Sequence, residues 1–72
     1  METITITTEY IKLQDLLKFA SLVSTGGEAK VAILDGEAAV NGEACAQRGR
    51  KIHPGDTVTF RGHELTVVYA DQ

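Results

Sequence analysis

The chain has 72 residues, 24% of them charged and 43% hydrophobic. This balance fits one globular domain over residues 1–72 with a small core and excludes a disordered tail. No apolar run approaches the roughly 18 residues of a membrane span, the polar N-terminus METITITTEY is not a secretory signal, and a single cysteine excludes an internal disulfide. The net charge of −3 argues against a polyanionic partner until its distribution is read.

Thr3 to Thr7 alternate Thr and Ile. A period of two with β-branched residues predicts a strand with Ile4 and Ile6 facing the core. Leu13, Leu16, Leu17 and Ala20 follow at i, i+3, i+4 and i+7, the apolar stripe of a helix. Lys12, Asp15 and Lys18 fall off that stripe and are expected to face water, while Tyr10 and Ile11 leave the start of the helix open. Ser24 to Gly27 interrupt the pattern. Thr25-Gly26-Gly27-Glu28 has the capping-box form, in which Thr25 accepts from the amide of residue 28 and Glu28 reaches back to the amide of residue 25. A second helix is predicted from Gly26 to about Asp35, with Ala29, Ala32 and Ile33 inward and Gly36 past its end. The two helices form a hairpin.

The second half reads as β-structure. Val40-Asn41-Gly42-Glu43 centres on Asn-Gly, whose residues both accept the positive φ of a two-residue hairpin turn. His53-Pro54-Gly55-Asp56 is a turn in which Pro presets φ at the second position and Gly supplies positive φ at the third. Thr57–Phe60 and Glu64–Tyr69 are β-rich, with Arg61-Gly62-His63 turning between them. The expected architecture is α+β: an N-terminal strand, a helical hairpin, then a small, mostly antiparallel sheet packed against it.

Catalysis finds little support. Cys45 has no base at a suggestive spacing, His53 and His63 lie in turns, and the ten carboxylates are scattered. Cys45, His53 and His63 match no standard zinc spacing, so neither a metal nor a cofactor is expected.

Charge is more informative. Residues 1–47 carry seven acids and three bases, net −4; residues 48–61 carry four bases and one acid, net +3; residues 62–72 carry two acids. Exposed charges are screened over roughly 8 Å at physiological salt, so local charge decides phosphate binding. Arg48-Gly49-Arg50-Lys51 places three cations in four residues. Arg grips phosphate through paired hydrogen bonds, Lys acts as a point charge, and Gly49 lets a backbone approach. Lys30 lies near the start of the second helix, where free amides and the helix dipole favour anions. If the basic loop folds there, four cations and a helix end converge on a phosphate backbone. Of the aromatic residues, Phe19 and Phe60 are expected in the core, which favours recognition by shape and backbone over readout of splayed bases.

In this order, Ile11-Lys12-Leu13, Leu16-Leu17-Lys18, Thr25-Gly26-Gly27-Glu28-Ala29-Lys30, Val40-Asn41-Gly42-Glu43, Arg48-Gly49-Arg50-Lys51 and Pro54-Gly55-Asp56 resemble the S4 RNA-binding domain. The resemblance is to its small stand-alone bacterial members, of the YaaA and YbcJ type, and it spans essentially the whole chain. It implies an S4-type fold with the αL motif, and RNA as the partner of the helical hairpin and the following loop. Carried across by position, it implies RNA contacts from Lys12, Lys18, Thr25, Gly26, Gly27, Lys30, Arg48, Arg50 and Lys51, with Asn41 marking the hairpin turn. Many members carry Arg in the turn before the second helix where this chain has Gly26, which removes one cation and implies modest affinity or action alongside other binding partners.

Two rivals share some of these features. A β-grasp sulfur carrier is similar in size and acidity, but its reactive Gly-Gly tail is missing from Tyr69-Ala70-Asp71-Gln72, and two helices precede the hairpin here. A protein-interaction module of the same fold would dock its basic loop on an acidic protein. The expectation is therefore a non-catalytic, monomeric, cytoplasmic protein without membrane contact. It would bind structured RNA of ribosomal or precursor type, alongside ribosomal or RNA-processing proteins.

Overall fold

The computed structural model describes residues 2–70. Its elements run β1 (Glu2–Ile6), β2 (Ile11–Lys12), α1 (Leu13–Phe19), α2 (Gly26–Leu34), β3 (Ala38–Val40), β4 (Glu43–Ala44), β5 (Lys51–Ile52), β6 (Thr57–Phe60) and β7 (His63–Tyr69). The class is α+β, as the periodicities predict.

A five-stranded sheet has the order β1-β7-β6-β3-β4. All its pairings are antiparallel except β1 with β7, which run parallel with Ile4 opposite Val67. The N-terminal strand is thus an edge of the C-terminal sheet rather than a separate element. One face of the sheet is buried by Ile6, Ala38, Val40, Val58, Phe60, Leu65 and Val67. Its other face carries Thr3, Thr5, Thr57, Thr59, Glu64 and Thr66, none of them buried. This is the alternation expected of a sheet solvated on one side. The helical hairpin covers the apolar face with Leu13, Leu16, Leu17, Val23, Ala29, Ala32 and Ile33. No charged or polar residue is buried among the described residues.

Both helices stop in the same way. Leu22 donates to the Leu17 carbonyl and Ser21 to that of Lys18; after α2, Glu37 donates to Ala32 and Gly36 to Ile33. These are paired Schellman bonds. At α2 the left-handed residue is Gly36, as expected, but at α1 it is Ser21, with φ 62°. A serine there costs more than glycine, and it ends α1 before the glycines that seemed to interrupt the pattern. At the start of α2, Glu28 N donates to Thr25 Oγ1 at 3.1 Å, as the capping box requires. The reciprocal bond differs from expectation: Glu28 Oε1 accepts from the amide of Ser24, at 2.7 Å, one residue earlier than predicted.

Three further expectations change. Phe19 is not in the core but 63% exposed, because it falls off the Leu13–Leu16–Leu17 stripe, whereas Phe60 is fully buried. His63 is the first residue of β7, and the turn before it is Arg61-Gly62 alone, with φ 48° and 84°. Lys12 lies in β2 at the N-cap of α1 rather than within the helix.

Candidate nucleic-acid interface

β2 and β5 form a separate two-stranded antiparallel ribbon, with Ile11 opposite Ile52 and Lys12 opposite Lys51. The basic loop is tied to the start of α1 by its main chain: Leu13 N donates to Arg50 O at 2.9 Å and Gln14 N to Arg48 O at 3.1 Å. Arg50 N in turn donates to Gln47 O. Since the loop's carbonyls satisfy amides at the helix start, the side chains of Arg48, Arg50 and Lys51 are left on the outside, where all three are exposed.

The register makes Leu13 and Arg50 a hydrogen-bonded position, so Lys12 and Lys51 occupy the adjoining non-hydrogen-bonded position, where side chains approach most closely. Ile52 is fully buried and Ile11 half-buried on the inward side, while both lysines are exposed. Directly opposed cations about 5 Å apart at Cβ are destabilising unless something neutralises them. No carboxylate of the described residues does so within 4 Å. Among the described residues, Lys12, Lys18, Lys30, Arg48, Arg50 and Lys51 all lack an ion-pair partner at that distance.

Arg61 is the exception. It lies in the same basic stretch of sequence but is held by Glu37 through bonds of 3.0 and 2.9 Å and approaches Glu28 at 4.0 Å. The Arg61 hydrogen bond, against slight desolvation, lowers the pKa of Glu37, and the same contact raises that of Arg61. Arg61 is therefore spent on the fold, fastening the β6–β7 turn to the region of α2.

The remaining residues singled out in the sequence divide among three places. Lys18 is exposed in the last turn of α1. Thr25 caps α2, Gly26 and Gly27 form its first turn, and Lys30 is exposed one turn on. Among the described residues no hydrogen bond or ion pair joins the loop to the start of α2. The loop's backbone bonds go to the start of α1, where Lys12 lies opposite Lys51. Asn41, at φ 51°, turns the β3–β4 hairpin. Its Nδ2 donates to Asp56 Oδ1 at 3.1 Å and its Oδ1 accepts from Thr57 N at 2.9 Å. The Asn-Gly and Pro-Gly turns are thereby clamped together. Asp56 also accepts from the amide of His53 at 2.8 Å. Partial burial works to raise the pKa of Asp56, but the His53 amide, the Asn41 side chain and the nearby positive charge of His53 and Arg50 outweigh it, so the net shift is downward.

Gly26, Gly27 and Gly49 differ from the turn glycines. None adopts positive φ. An added Cβ would meet nothing within 4 Å at Gly26 and Gly49, and only Thr25 Oγ1 at 3.9 Å at Gly27. Neither backbone conformation nor packing requires glycine at these three positions, all of which lie in the candidate interface.

Tyr10 and His53 were not singled out by sequence. They continue the alternation of β2 and β5, which brings them to the same outer face as Lys12 and Lys51. Their ring centroids lie 6.0 Å apart, and Lys51 Nζ sits 4.9 Å from the centre of the Tyr10 ring. The residues are far apart in sequence, and only the strand pairing brings them together. Among the described residues there is no group of metal-ligating side chains and no helix long and apolar enough to cross a membrane.

Comparison with known proteins agrees with this architecture. YbcJ of Escherichia coli is 39% identical over 59 residues, covering 82% of this chain and 84% of that protein. The probable ribosome maturation protein RlbA of Bacillus subtilis is 42% identical over 59 residues, covering 82% and 83%. The solution structure of YbcJ, which has an αL motif described as involved in RNA binding, superposes with a TM-score of 0.73 at 36% identity, over 94% of this chain and 87% of that one. The 30S ribosomal protein S4e of Thermoplasma acidophilum shares the fold, with a TM-score of 0.68 at 21% identity over 92% of this chain and 35% of its own. The family model of the S4 domain matches residues 4–68. That match takes in the helical hairpin, the ribbon and all of the sheet but the outer ends of β1 and β7, and the chain belongs to the S4 domain family.

Proposed function

We propose that this protein binds structured RNA, of ribosomal or precursor type, by gripping the phosphate backbone without catalysing a reaction. The observation that carries the reading is the set of cations around the start of α1. Lys12, Arg48, Arg50 and Lys51 project from a backbone fastened by hydrogen bonds, and among the described residues none of them has an ion-pair partner within 4 Å. Holding like charges together without close ion-pair partners costs stability, and a polyanion removes that cost. Lys18 and Lys30 extend the surface along the hairpin. Thr25, Gly26 and Gly27 offer hydroxyl and amide donors at the start of α2, and Asn41 acts by holding the turns that carry the ribbon. The names of YbcJ's motif and of RlbA support RNA and the ribosome as the setting.

Fluorescence anisotropy with a structured RNA hairpin and a DNA duplex of equal length, over a salt titration, tests the proposal. The wild type is compared with a folded Arg48→Ala/Arg50→Ala/Lys51→Ala variant. Each phosphate neutralised contributes about −0.7 to −0.9 to the slope of log affinity against log salt. The expected result is tighter binding to RNA than to DNA, with the triple variant losing roughly 2 to 3 units of slope. Equally weak binding to both, unchanged in the variant, would overturn the RNA reading and favour an acidic protein as the partner of the loop.

A further inference from the structure

We propose that the outer face of the β2·β5 ribbon is a site for one unpaired nucleotide, whose base stacks on Tyr10 beside His53 and whose phosphate lies between Lys12 and Lys51. This inference rests on the RNA-binding reading above and narrows it to RNA that offers an unstacked base next to a helix.

The ribbon's alternation generates the site. Ile11 and Ile52 point inward, and Tyr10 with Lys12 faces His53 with Lys51 on the other side. The result is two aromatic rings and two cations on one small outward surface. His53 is held in place because its amide donates to Asp56, which Asn41 also clamps. In the free protein the ammonium of Lys51 covers the Tyr10 ring. An exposed contact of this kind is weak, and the face of a nucleobase stacks more strongly on an aromatic ring. A bound nucleotide therefore exchanges the two: the base takes the ring, and Lys51 moves to the phosphate opposite Lys12. That placement also relieves the repulsion between the paired lysines. A fully paired RNA helix offers phosphates but no free base face, so it uses only half of the site.

The test uses two RNA hairpins that differ by a single bulged 2-aminopurine. Anisotropy reads affinity, and 2-aminopurine fluorescence reads stacking. The wild type is expected to bind the bulged RNA about tenfold more tightly than the paired one and to quench the probe, in line with the stacking of one base on an aromatic residue. Tyr10→Leu, which keeps apolar bulk without a ring, is expected to lose both the preference and the quenching, and Tyr10→Phe to retain them. Circular dichroism checks folding. Should Tyr10→Leu fail to fold, His53→Ala at its exposed position serves instead, with a partial loss of preference and quenching expected. Equal affinity of the wild type for the two RNAs, or preference and quenching that persist in the folded variant, overturns the nucleotide site while leaving general RNA binding intact. Failure of the wild type to bind either RNA overturns both proposals.

Discussion

Replacing Gly27 or Gly49 by alanine is predicted to move stability and RNA affinity in opposite directions. A methyl group at Gly49 enters open space, and at Gly27 it makes an ordinary contact with Thr25 Oγ1 at 3.9 Å. Neither residue has positive φ. No steric or conformational penalty therefore offsets the gain from restricting the unfolded chain, about 0.4–1 kcal/mol per Gly→Ala change. For a domain this small, 1 kcal/mol corresponds to a rise in melting temperature of roughly 4–8 °C. If these glycines let a phosphate reach the backbone amides, the methyl blocks a hydrogen bond to a charged acceptor, worth about 1.5 kcal/mol or more, or roughly tenfold in affinity. Thermal melting and anisotropy on the same preparations test both halves. Gly42→Ala serves as the contrast, because its φ of 86° makes alanine strained and the change should destabilise. The reasoning is refuted if Gly27→Ala and Gly49→Ala lower the melting temperature as Gly42→Ala does, or if they raise it and leave RNA affinity untouched.

Arg61→Ala should leave the salt slope of RNA binding unchanged, because Glu37 already neutralises that cation, whereas Lys12→Ala or Arg50→Ala should each make the slope shallower by about 0.7–0.9. Asn41→Ala removes two side-chain hydrogen bonds and places alanine at φ 51°. Chemical denaturation should show a loss of roughly 2–4 kcal/mol, and Asn41→Gly, which relieves the backbone strain, should lose about 1–2 kcal/mol less. The carboxyl of Asp56 has a lowered pKa in the folded state, so the unfolded chain binds its proton more readily. Its contribution to stability is full above its ordinary pKa, about 4, and disappears as pH falls through the lower folded value. Melting curves of the wild type and Asp56→Asn from pH 6 to 2 should therefore converge at the acid end, and a constant difference between them would contradict the assignment.

Much of the local structure was legible because it arises from short-range physics. The Thr-Ile alternation of β1, the leucine stripe of α1, the Thr25 cap, the left-handed Gly36 and the Asn41-Gly42 and Pro54-Gly55 turns each depend on a few adjacent residues. The exposure of Phe19 was implicit in the same stripe, and the pull of its large apolar side chain concealed it. The end of α1 was less legible, because Ser21 occupies a left-handed position where glycine is usual.

The site was legible as a list of cations but not as an arrangement. Counting charges along the chain places Arg61 with Arg48, Arg50 and Lys51, and proximity to a helix start suggests Lys30 as their companion. The fold adds what counting cannot: Glu37, 24 residues away, takes Arg61, and the β2·β5 ladder sets Lys12 opposite Lys51. Tyr10 and His53 gave no signal at all, since the alternation that aligns them runs across two strands rather than along one.

The amino-acid order was sufficient for the helices, the longer strands, the class and the family, because periodicity, capping and turn chemistry act over one to four residues; the two-residue strands β2 and β5 exist only through their pairing. Which cations remain available, which surface they share and which aromatic rings join them depended on contacts between residues 24 to 43 positions apart. Charge is a property of a residue, but neutralisation and repulsion depend on distance, and distances across the chain exist only once the strands have paired.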